Sequence, residues 1–356
     1  MYHSRWKGTH YQAGFQYGNK LLKNGVVLLQ QMKVSKEREE YAIQCIPIYE
    51  KHYPEILQEI KGIADGMHVS FMTIASFLLS MYAYTYDTHC SCIAISSPQC
   101  LLLGRNSDFL VDIEKLCDSP YYQLDGTYAF IGHTTAWSEM EDGVNEWGLA
   151  VGLTLLYPTH ILPGINAGML VRYLLEKCQT TKEAIQALKR LPIGSAQTIT
   201  LADKTGEIVV VECNCDCLIV RWPQKGIIFT TNHYISQELQ SYQYQGEDDI
   251  HSHERYQTLE SFVKIKNNEK IENVQALLSG KYGFMCQYDR KKGMDTIWSC
   301  VYDLKDFEIM RVEGNPSRKK YQIDKRLHFQ KCSNLNGKSD EFETSVFSCF
   351  LMIKRR

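Results

Sequence analysis

The sequence lacks the features that mark membrane-spanning, secreted and nucleic-acid-binding proteins. It contains no run of 18 apolar residues, so no membrane span is predicted. Its first residues, MYHSRWKGTHYQAGFQYG, lack the long apolar core of a secretion signal. The 39 basic and 41 acidic residues nearly cancel, so no overall field attracts nucleic acid or an anionic membrane. We therefore expect a globular protein of the cytoplasm with no nucleic-acid partner.

Sequence signatures of cofactors and of a disulfide framework are also missing. The 11 histidines form no His-Glu-x-x-His motif, and no Gly-rich phosphate loop is present. We therefore expect no cofactor and no bound metal. The 13 cysteines are odd in number and irregularly spaced, in a chain of 356 residues that is long enough to bury its own core. Reduced thiols are expected instead of a disulfide scaffold.

The hydrophobic pattern is mostly helical over about the first 85 residues. Within 53–67, Pro54 fits a first helical turn, the apolar residues form one stripe, and Gly66 is a plausible stop. Ser70 is the predicted N-cap of the next helix, over 69–84.

From Cys90 onward, short apolar or alternating runs predict strands. The predicted strands are 90–95, 100–106, 128–133, 148–156, 198–203, 207–213, 217–222, 226–232, 296–304 and 307–314. Helices are predicted over 167–178, 180–191 (with Thr181 as its cap), 253–265 and 271–280. Many antiparallel strands with grouped helices indicate an α+β fold of stacked layers. We divide the chain into a mainly helical segment 1–89, a catalytic domain 90–330 and a tail 331–356.

Cys90 lies at the boundary between the helical and strand-rich parts. A thiol is a natural nucleophile for acyl transfer once a base removes its proton. The adjacent His89 is a poor base, because neighbours in a strand point to opposite faces. If the chain were cut before Cys90, the new α-amino group, with a pKa near 8, could accept the proton instead.

Six motifs, in order, resemble the isopenicillin N acyltransferase-like enzymes and their bile-salt hydrolase and penicillin V acylase relatives. Cys90-Ser91 is followed about 14 residues later by Gly-Arg-Asn-Ser-Asp, at 104–108. The remaining motifs are DGVNEWGLAVGLT, PGINAGMLVRYLLEKCQTTKEAIQAL, LADKTGE, FTTNHY and IWSCVYDL. Before the cut, GTHYQAGFQYG and YPEILQEIKGIADGM resemble the family's helical propeptide. The resemblance implies an αββα four-layer sandwich of the N-terminal-nucleophile (Ntn) hydrolase class and self-cleavage of the His89–Cys90 bond.

The resemblance also implies roles for individual side chains. Cys90 corresponds to the nucleophile, and Asp108 would hold the new α-amino group. Arg105 would lie near the thiolate, and Asn232 would donate its amide to the oxyanion. Arg255, in SHERYQ, occupies the position of a late arginine of the bile-salt hydrolases, although a surface helix position is the alternative.

Three departures from the family pattern bear on activity. His89 stands where the fungal acyltransferase has Gly, so it could slow self-cleavage or assist it as a proton donor. Thr154 stands where relatives often have an active-site Asn. Arg105 replaces the Gln of the fungal enzyme, which favours hydrolysis.

The loop 155–164, LLYPTHILPG, is the predicted pocket lining, with Thr154, Leu155 and Tyr157 as substrate contacts. The predicted partner is a small acyl amide, with acyl-CoA or an acceptor amine as further candidates. The two fragments are expected to stay associated, and the pattern leaves hydrolysis versus transfer, the acyl group and the oligomeric state open.

Two alternatives remain at this stage. One is an uncut cysteine peptidase in which Cys90 pairs with a distant histidine, His133 or His233. The other is a thiol or metal-binding protein built on Cys213, Cys215 and Cys217. A continuous strand would place these three thiols on one face, roughly 7 Å apart, too far for a compact chelate.

Overall fold

The computed structural model describes residues 1–25, 34–84, 89–248, 250–265 and 268–330. The predicted tail 331–356 and residues 85–88, directly before the predicted cleavage bond, lie outside this range. The fold is α+β with two sheets, as predicted.

The helices of the described chain, numbered here in chain order, are α1 (His10–Lys23), α2 (Lys36–His52), α3 (Pro54–Met67), α4 (Phe71–Leu79), α5 (Ala167–Lys177), α6 (Thr181–Arg190), α7 (Ser252–Val263) and α8 (Ile271–Leu278). The strands are β1 (Arg5–Gly8), β2 (His89–Ser96), β3 (Leu101–Leu110), β4 (Tyr121–Leu124), β5 (Phe130–His133), β6 (Asp142–Asn145), β7 (Leu149–Leu155), β8 (Gln197–Asp203), β9 (Ile208–Cys213), β10 (Leu218–Arg221), β11 (Ile227–Thr230), β12 (Met294–Asp303), β13 (Glu308–Val312) and β14 (Gln322–Asp324).

The strands form an eight-stranded and a six-stranded sheet. The first has the order β1-β4-β5-β6-β7-β8-β9-β10, and the second has the order β11-β2-β3-β12-β13-β14. The β1–β4 pair is parallel and the other strand pairs are antiparallel. The strand carrying Cys90 is therefore internal to its sheet.

Alternating side chains of the strands contribute to the three largest of five apolar clusters in the described residues. On β7, Val151 packs with helices α2 to α6 on the outer face of the large sheet, and Ala150 faces the small sheet. On β2, Ala94 faces the large sheet, and Ile93 packs against α7 and α8. The sheets thus pack face to face, with helices on the outer face of each.

Most predicted elements are confirmed, and the caps are shifted in two cases. The Ser70 hydroxyl accepts a hydrogen bond from the Thr73 amide, and Pro54 begins α3, as predicted. The stop predicted at Gly66 is wrong, because α3 continues to Met67 and ends at His68 in the left-handed conformation. The cap of α6 is Thr180, one residue before the predicted Thr181.

Gly66 serves helix packing instead of helix termination. A Cβ atom at Gly66 would lie 2.4 Å from the Phe15 carbonyl oxygen of α1. Gly62, one turn earlier on α3, would meet the Tyr11 carbonyl oxygen at 2.2 Å. Only glycine allows the backbones of α1 and α3 to approach this closely.

The N-terminal segment is built into the body of the protein. Its first strand, β1, pairs with β4, and its helices share a core with α5 and α6.

The fully buried Arg172 of α5 binds Glu59 of α3 at 2.9 Å and Glu176 at 2.7 Å. Glu176 also accepts a hydrogen bond from Tyr53 and lies 3.2 Å from the His10 ring. Burial raises the pKa of Glu176, but Arg172 and His10 outweigh this and hold it at about 2. The boundaries of the three predicted segments remain a prediction.

None of the helices in the described ranges is long and apolar enough to cross a membrane.

Arg172→Met should lower the free energy of unfolding by about 3–5 kcal/mol, because Glu59 and Glu176 would remain buried without their cation. Denaturant unfolding of the full chain measures the loss. Lys177→Met, on the same helix, is the matched control, since it removes only a partly exposed pair with Glu55 and should cost less than about 1 kcal/mol. Equal losses for the two variants would contradict the structural role of the buried pair.

Candidate active site

The pairing of β2 with β3 determines which side chains meet at Cys90. Cys90 pairs with Ser107, and Cys92 pairs with Arg105. Residues two apart share a face, so these four side chains point to the same side of the small sheet. That side faces the large sheet, where a Cβ atom at Gly152 would lie 2.9 Å from the Cys92 sulfur.

Arg105 is fully buried between the sheets and directly contacts the thiol. Its Nη2 donates to Cys90 Sγ at 2.7 Å and lies 3.4 Å from a Glu141 carboxylate oxygen. Its Nη1 donates to Asp142 at 2.8 Å, and its Nε donates to the Leu153 carbonyl at 2.9 Å. A guanidinium in this position stabilises a thiolate at Cys90.

The carboxylates around Arg105 are themselves held by hydrogen bonds. Asp142 accepts from Trp298 Nε1 at 2.8 Å and from the Tyr302 hydroxyl at 2.6 Å, and it lies 2.6 Å from His133 Nδ1. Burial opposes ionisation of Asp142, but His133 and Arg105 keep its pKa well below the ordinary value. Glu141 accepts from Ser107 at 3.2 Å, and burial raises its pKa despite the neighbouring guanidinium.

Arg255 contacts Cys90 from the opposite face of β2. Its Nη1 donates to the Cys90 carbonyl at 2.6 Å and to the Ser91 hydroxyl at 2.8 Å. Its Nη2 donates to Asn232 Oδ1 at 2.7 Å. Arg255 is fully buried on α7, so the alternative of a surface helix position is wrong.

Asn232 follows β11 and lies against the backbone amide of Cys90. Its Oδ1 accepts from the Cys90 N–H at 3.0 Å and also from Arg255, which fixes the amide orientation because arginine only donates. Its Nδ2 donates to the Leu155 carbonyl at 2.6 Å. The second Nδ2 hydrogen remains the candidate donor to an oxyanion.

Asp108 occupies the other end of the β2–β3 pairing, opposite His89. Its carboxylate accepts from the Thr296 hydroxyl at 2.5 Å and from the Tyr288 hydroxyl at 3.1 Å, and Arg255 Nη1 lies 3.9 Å away. Burial raises the pKa of Asp108 to about 6, although Arg255 and the two hydroxyl donors oppose the rise.

The Cys90 thiol is enclosed in this arrangement, with 1% of the residue exposed. Burial raises its pKa, and the Arg105 guanidinium opposes part of that rise. Tyr82, from the N-terminal segment, is also buried, and burial, then Glu141 and Glu139, raise the pKa of its hydroxyl. A protonated thiol needs a base before it can act as a nucleophile.

The three predicted substrate contacts, Thr154, Leu155 and Tyr157, lie in different surroundings. Tyr157 packs its ring 6.5 Å from that of His89 and 4.8 Å from that of Tyr244. Thr154 is buried within the sheet, where its hydroxyl donates to the Thr231 carbonyl at 3.1 Å, one residue before Asn232. The Leu155 carbonyl oxygen accepts the hydrogen bond from Asn232 Nδ2.

A small cavity adjoins this group of residues. It has a volume of ≈ 40 Å³ and is lined by Tyr157, Asn232, Tyr244 and Asp248 among others. This space is close to that of one water molecule and is too small for an acyl group.

The two histidines of the peptidase alternative are engaged elsewhere. His133 is bound to Asp142 and lies 3.2 Å from the Tyr302 hydroxyl. His233 Nδ1 lies 2.7 Å from the Ser252 hydroxyl, and the His233 ring lies 4.2 Å from the ring of His253 in a tilted arrangement. Neither ring hydrogen-bonds the Cys90 thiol within the described part of the chain.

The expectation of three thiols on one strand face is wrong. Cys213 ends β9, but Cys215 lies in the turn to β10 and Cys217 directly precedes β10. Cys213 is fully buried and accepts a hydrogen bond from Gln197 at 3.0 Å, whereas the other two are partly exposed.

The sequence analysis did not identify four residues that complete the site: Glu141, Asp142, Thr296 and Tyr288. Asp142 is the first residue of the motif DGVNEWGLAVGLT, and nothing in that pattern marks it as a buried acid. Glu141 belongs to the acidic stretch Glu-Met-Glu-Asp, whose composition alone indicates a solvated turn. Thr296 lies in a predicted strand, without a signal that it faces Asp108.

Solved structures resemble this fold at low sequence identity. Penicillin V acylase from Agrobacterium tumefaciens has a TM-score of 0.42 and 17% identity, over 63% of this chain and 82% of that chain. A mutant of conjugated bile acid hydrolase from Clostridium perfringens has a TM-score of 0.47 and 14% identity, over 69% of this chain and 100% of that chain.

Two sequence comparisons complement these likenesses. A beta-alanyl-dopamine/carcinine hydrolase of Drosophila melanogaster is 26% identical over an alignment of 129 positions, and the match covers 30% of this chain and 33% of that protein. The matched region thus spans about a third of the length of this curated relative. The model of the acyl-coenzyme A:6-aminopenicillanic acid acyl-transferase family matches residues 95–318. Since this match covers more than half of the 356 residues, the chain belongs to the acyl-coenzyme A:6-aminopenicillanic acid acyl-transferase family.

Proposed function

We propose that the protein is a self-processing Ntn amidohydrolase whose nucleophile is Cys90. Its two sheets and outer helices would then form the αββα sandwich of that class. The contact that carries the proposal is the 2.7 Å hydrogen bond from Arg105 to the Cys90 sulfur. It joins the thiol of Cys90 to a buried cation. The backbone N–H and carbonyl of Cys90 are both held by side chains, Asn232 and Arg255.

Self-cleavage begins when the Cys90 sulfur attacks the carbonyl carbon of His89. The His89–Cys90 amide bond breaks, the carbonyl is transferred to sulfur as a thioester, and the Cys90 nitrogen takes up a proton. Water then hydrolyses the thioester, which leaves a carboxylate on His89 and a free thiol and α-amine on Cys90. Asn232 holds the Cys90 nitrogen, and Arg255 holds its carbonyl, so the reacting bond keeps its orientation.

The cut supplies the base that the thiol otherwise lacks. The α-amine of Cys90 accepts the thiol proton as sulfur attacks the substrate carbonyl. Asn232 Nδ2 and backbone N–H groups stabilise the oxyanion, and the α-ammonium then protonates the leaving amine. Water resolves the thioester and regenerates the enzyme.

Asp108 is the proposed anchor of the α-ammonium. It pairs with His89 across the strands and so lies beside the bond that is cut. In the uncut chain no ammonium group is present at Cys90, which agrees with a pKa raised by burial. A new cation beside Asp108 favours its ionised form.

The proposed substrate is a linear amide of a small amine. The Drosophila relative is a hydrolase of beta-alanyl-dopamine and carcinine, which motivates beta-alanyl amides as the first test compounds. The apolar loop around Tyr157 motivates amides of apolar acids as the second set. Arg105 in place of Gln favours water over an acceptor amine.

Purified wild-type protein should contain two fragments, and Cys90→Ala should contain one chain. A cut before Cys90 divides the 41.1 kDa chain after a quarter of its residues, giving pieces of about 10 and about 31 kDa. Intact mass measured under denaturing conditions resolves them. Cys92→Ala, two residues away on the same strand face, is the matched control and should still be cut. A single full-length mass in both wild type and Cys92→Ala would contradict self-processing.

The stability of the uncut chain should depend on the protonation of Asp108. Because the folded-state pKa of about 6 exceeds the ordinary value of 3.8, its stabilising contribution is complete below about pH 4 and is lost as the pH rises through 6. The test compares Cys90→Ala with Cys90→Ala/Asp108→Asn. The free energy of unfolding of the first minus that of the second should fall by about 3 kcal/mol between about pH 4 and about pH 7. Denaturant titrations at several pH values measure this difference. A constant difference would mean that Arg255 already keeps Asp108 ionised in the uncut chain.

Asn232→Ala should reduce kcat for amide hydrolysis by about 10²–10³-fold, with a smaller change in KM, because one oxyanion donor is lost. Rates are normalised to the cut fraction determined by mass, since the substitution also removes the partner of the Cys90 amide. Asn24→Ala, at the exposed end of α1, is the control and should retain wild-type activity. An Asn232→Ala enzyme that is fully cut and fully active would exclude the oxyanion role.

A further inference from the structure

The loop after β7 and the turn between β9 and β10 bring together three side chains that the proposed hydrolase does not use. His160 Nδ1 lies 2.7 Å from Asp216 Oδ2 and 3.5 Å from Cys215 Sγ. The three donor atoms all lie within 4.8 Å of one another. We propose that His160, Cys215 and Asp216 bind a zinc ion.

The separations agree with the geometry of zinc. Zn–S of about 2.3 Å and Zn–N of about 2.0 Å at a tetrahedral angle place sulfur and nitrogen about 3.5 Å apart. The Cys215–His160 distance already has this value. Nitrogen and oxygen ligands of one zinc lie about 3.3 Å apart, so the His160–Asp216 pair must open by about half an ångström. Both side chains are partly exposed, which allows that movement.

The alternative of a second Cys-His-Asp catalytic relay does not fit the contacts. In a relay, the nucleophile and the carboxylate bind opposite nitrogens of the imidazole. Here the Cys215 sulfur and the Asp216 oxygen both approach Nδ1 of His160. Three donor atoms within 4.8 Å of one another suit a chelated ion, and the mixture of nitrogen, sulfur and oxygen favours zinc over calcium or magnesium.

The residues that carry the ligands are held in position before a metal arrives. Asn214 Oδ1 accepts the amide hydrogens of Asp216 at 2.9 Å and Cys217 at 2.8 Å, which fixes the turn. The loop is fastened by Thr159, which donates to the Tyr242 carbonyl at 3.1 Å. Such an arrangement lowers the conformational entropy that metal binding must overcome.

A second group, His133, Asp142 and Cys300, has comparable spacing but different surroundings. It is fully buried, and the carboxylate of Asp142 is already bound by Arg105, Trp298 and Tyr302. A cation there would lie beside a guanidinium and would have no route from solvent. The half-exposed His160 and the partly exposed Cys215 have such a route.

Zinc at His160, Cys215 and Asp216 would join the loop that carries Tyr157 to the hairpin of the large sheet. With three protein ligands, a fourth position is open to water. The ion would thus stiffen the predicted pocket loop at His160, three residues after Tyr157. This inference does not depend on the chemistry of Cys90.

The test is zinc and cobalt binding by the full chain carrying Cys90→Ala, which removes the buried thiol of the proposed active site. After treatment with a chelator, we expect one zinc per chain, a rise in melting temperature with zinc, and thiolate-to-cobalt charge-transfer absorption with Co²⁺. Adding Cys215→Ser should abolish the absorption band, and Cys215→Ser or His160→Ala should weaken zinc binding at least about 10-fold.

Cys217→Ser is the matched control, since this thiol lies two residues away and outside the cluster. It should bind zinc and cobalt as the parent chain does. Zinc binding that survives Cys215→Ser, or that is lost with Cys217→Ser, would overturn the assignment. Both ligand variants alter partly exposed side chains, and an unchanged melting temperature without metal would establish that each still folds.

Discussion

The buried guanidinium of Arg105 is the constraint on which the rest of the site depends. A cation without solvent must be matched by anions and acceptors, or it destabilises the fold by several kcal/mol. Its partners come from three other strands: Cys90 on β2, Asp142 on β6 and Leu153 on β7. These strands belong to both sheets, so the site is assembled only when the two sheets pack face to face. Gly152 allows the required approach, because any side chain there would strike Cys92.

A strand alternates its side chains, and the site uses both faces of β2. Arg105 contacts the Cys90 sulfur from the inner face, while Arg255 contacts the Cys90 carbonyl and Ser91 from the outer face. The backbone at Cys90 is therefore held independently of its thiol. This separation suits a residue that is proposed to react twice, first through its own peptide bond and then with a substrate.

The hairpin at 90–108 could be predicted from sequence, because both of its strands show a clear pattern and the turn is short. Antiparallel register then brings Arg105 to Cys90 and Asp108 to His89. Arg255 and Asn232 were identified only through the family resemblance, since no local pattern links positions so distant in the chain. Asp142 stands in the motif DGVNEWGLAVGLT, but no sequence signal marks it as a partner of Arg105, because β6 has four residues and no measurable period. The period of two at Cys213, Cys215 and Cys217 suggested one strand face, although the predicted strands 207–213 and 217–222 leave Cys215 between them, where the structure has a turn.

The N-terminal segment shares a core with the rest of the chain and also extends to the region of the Cys90 thiol. Its helices share a core with α5 and α6, and Arg172 pairs with Glu59 across that boundary, so a cut at His89–Cys90 would not release it. Its last described part also buries Tyr82 near enough to Glu141 and Cys90 for both to raise the pKa of the Tyr82 hydroxyl. The cavity of ≈ 40 Å³ beside Asn232, which is lined by other parts of the chain, has no space for an acyl group. Under the proposed function, cleavage creates the amine base, and a substrate also needs more space beside Asn232 than this cavity offers. Core packing then explains why the fragments would remain together after the cut.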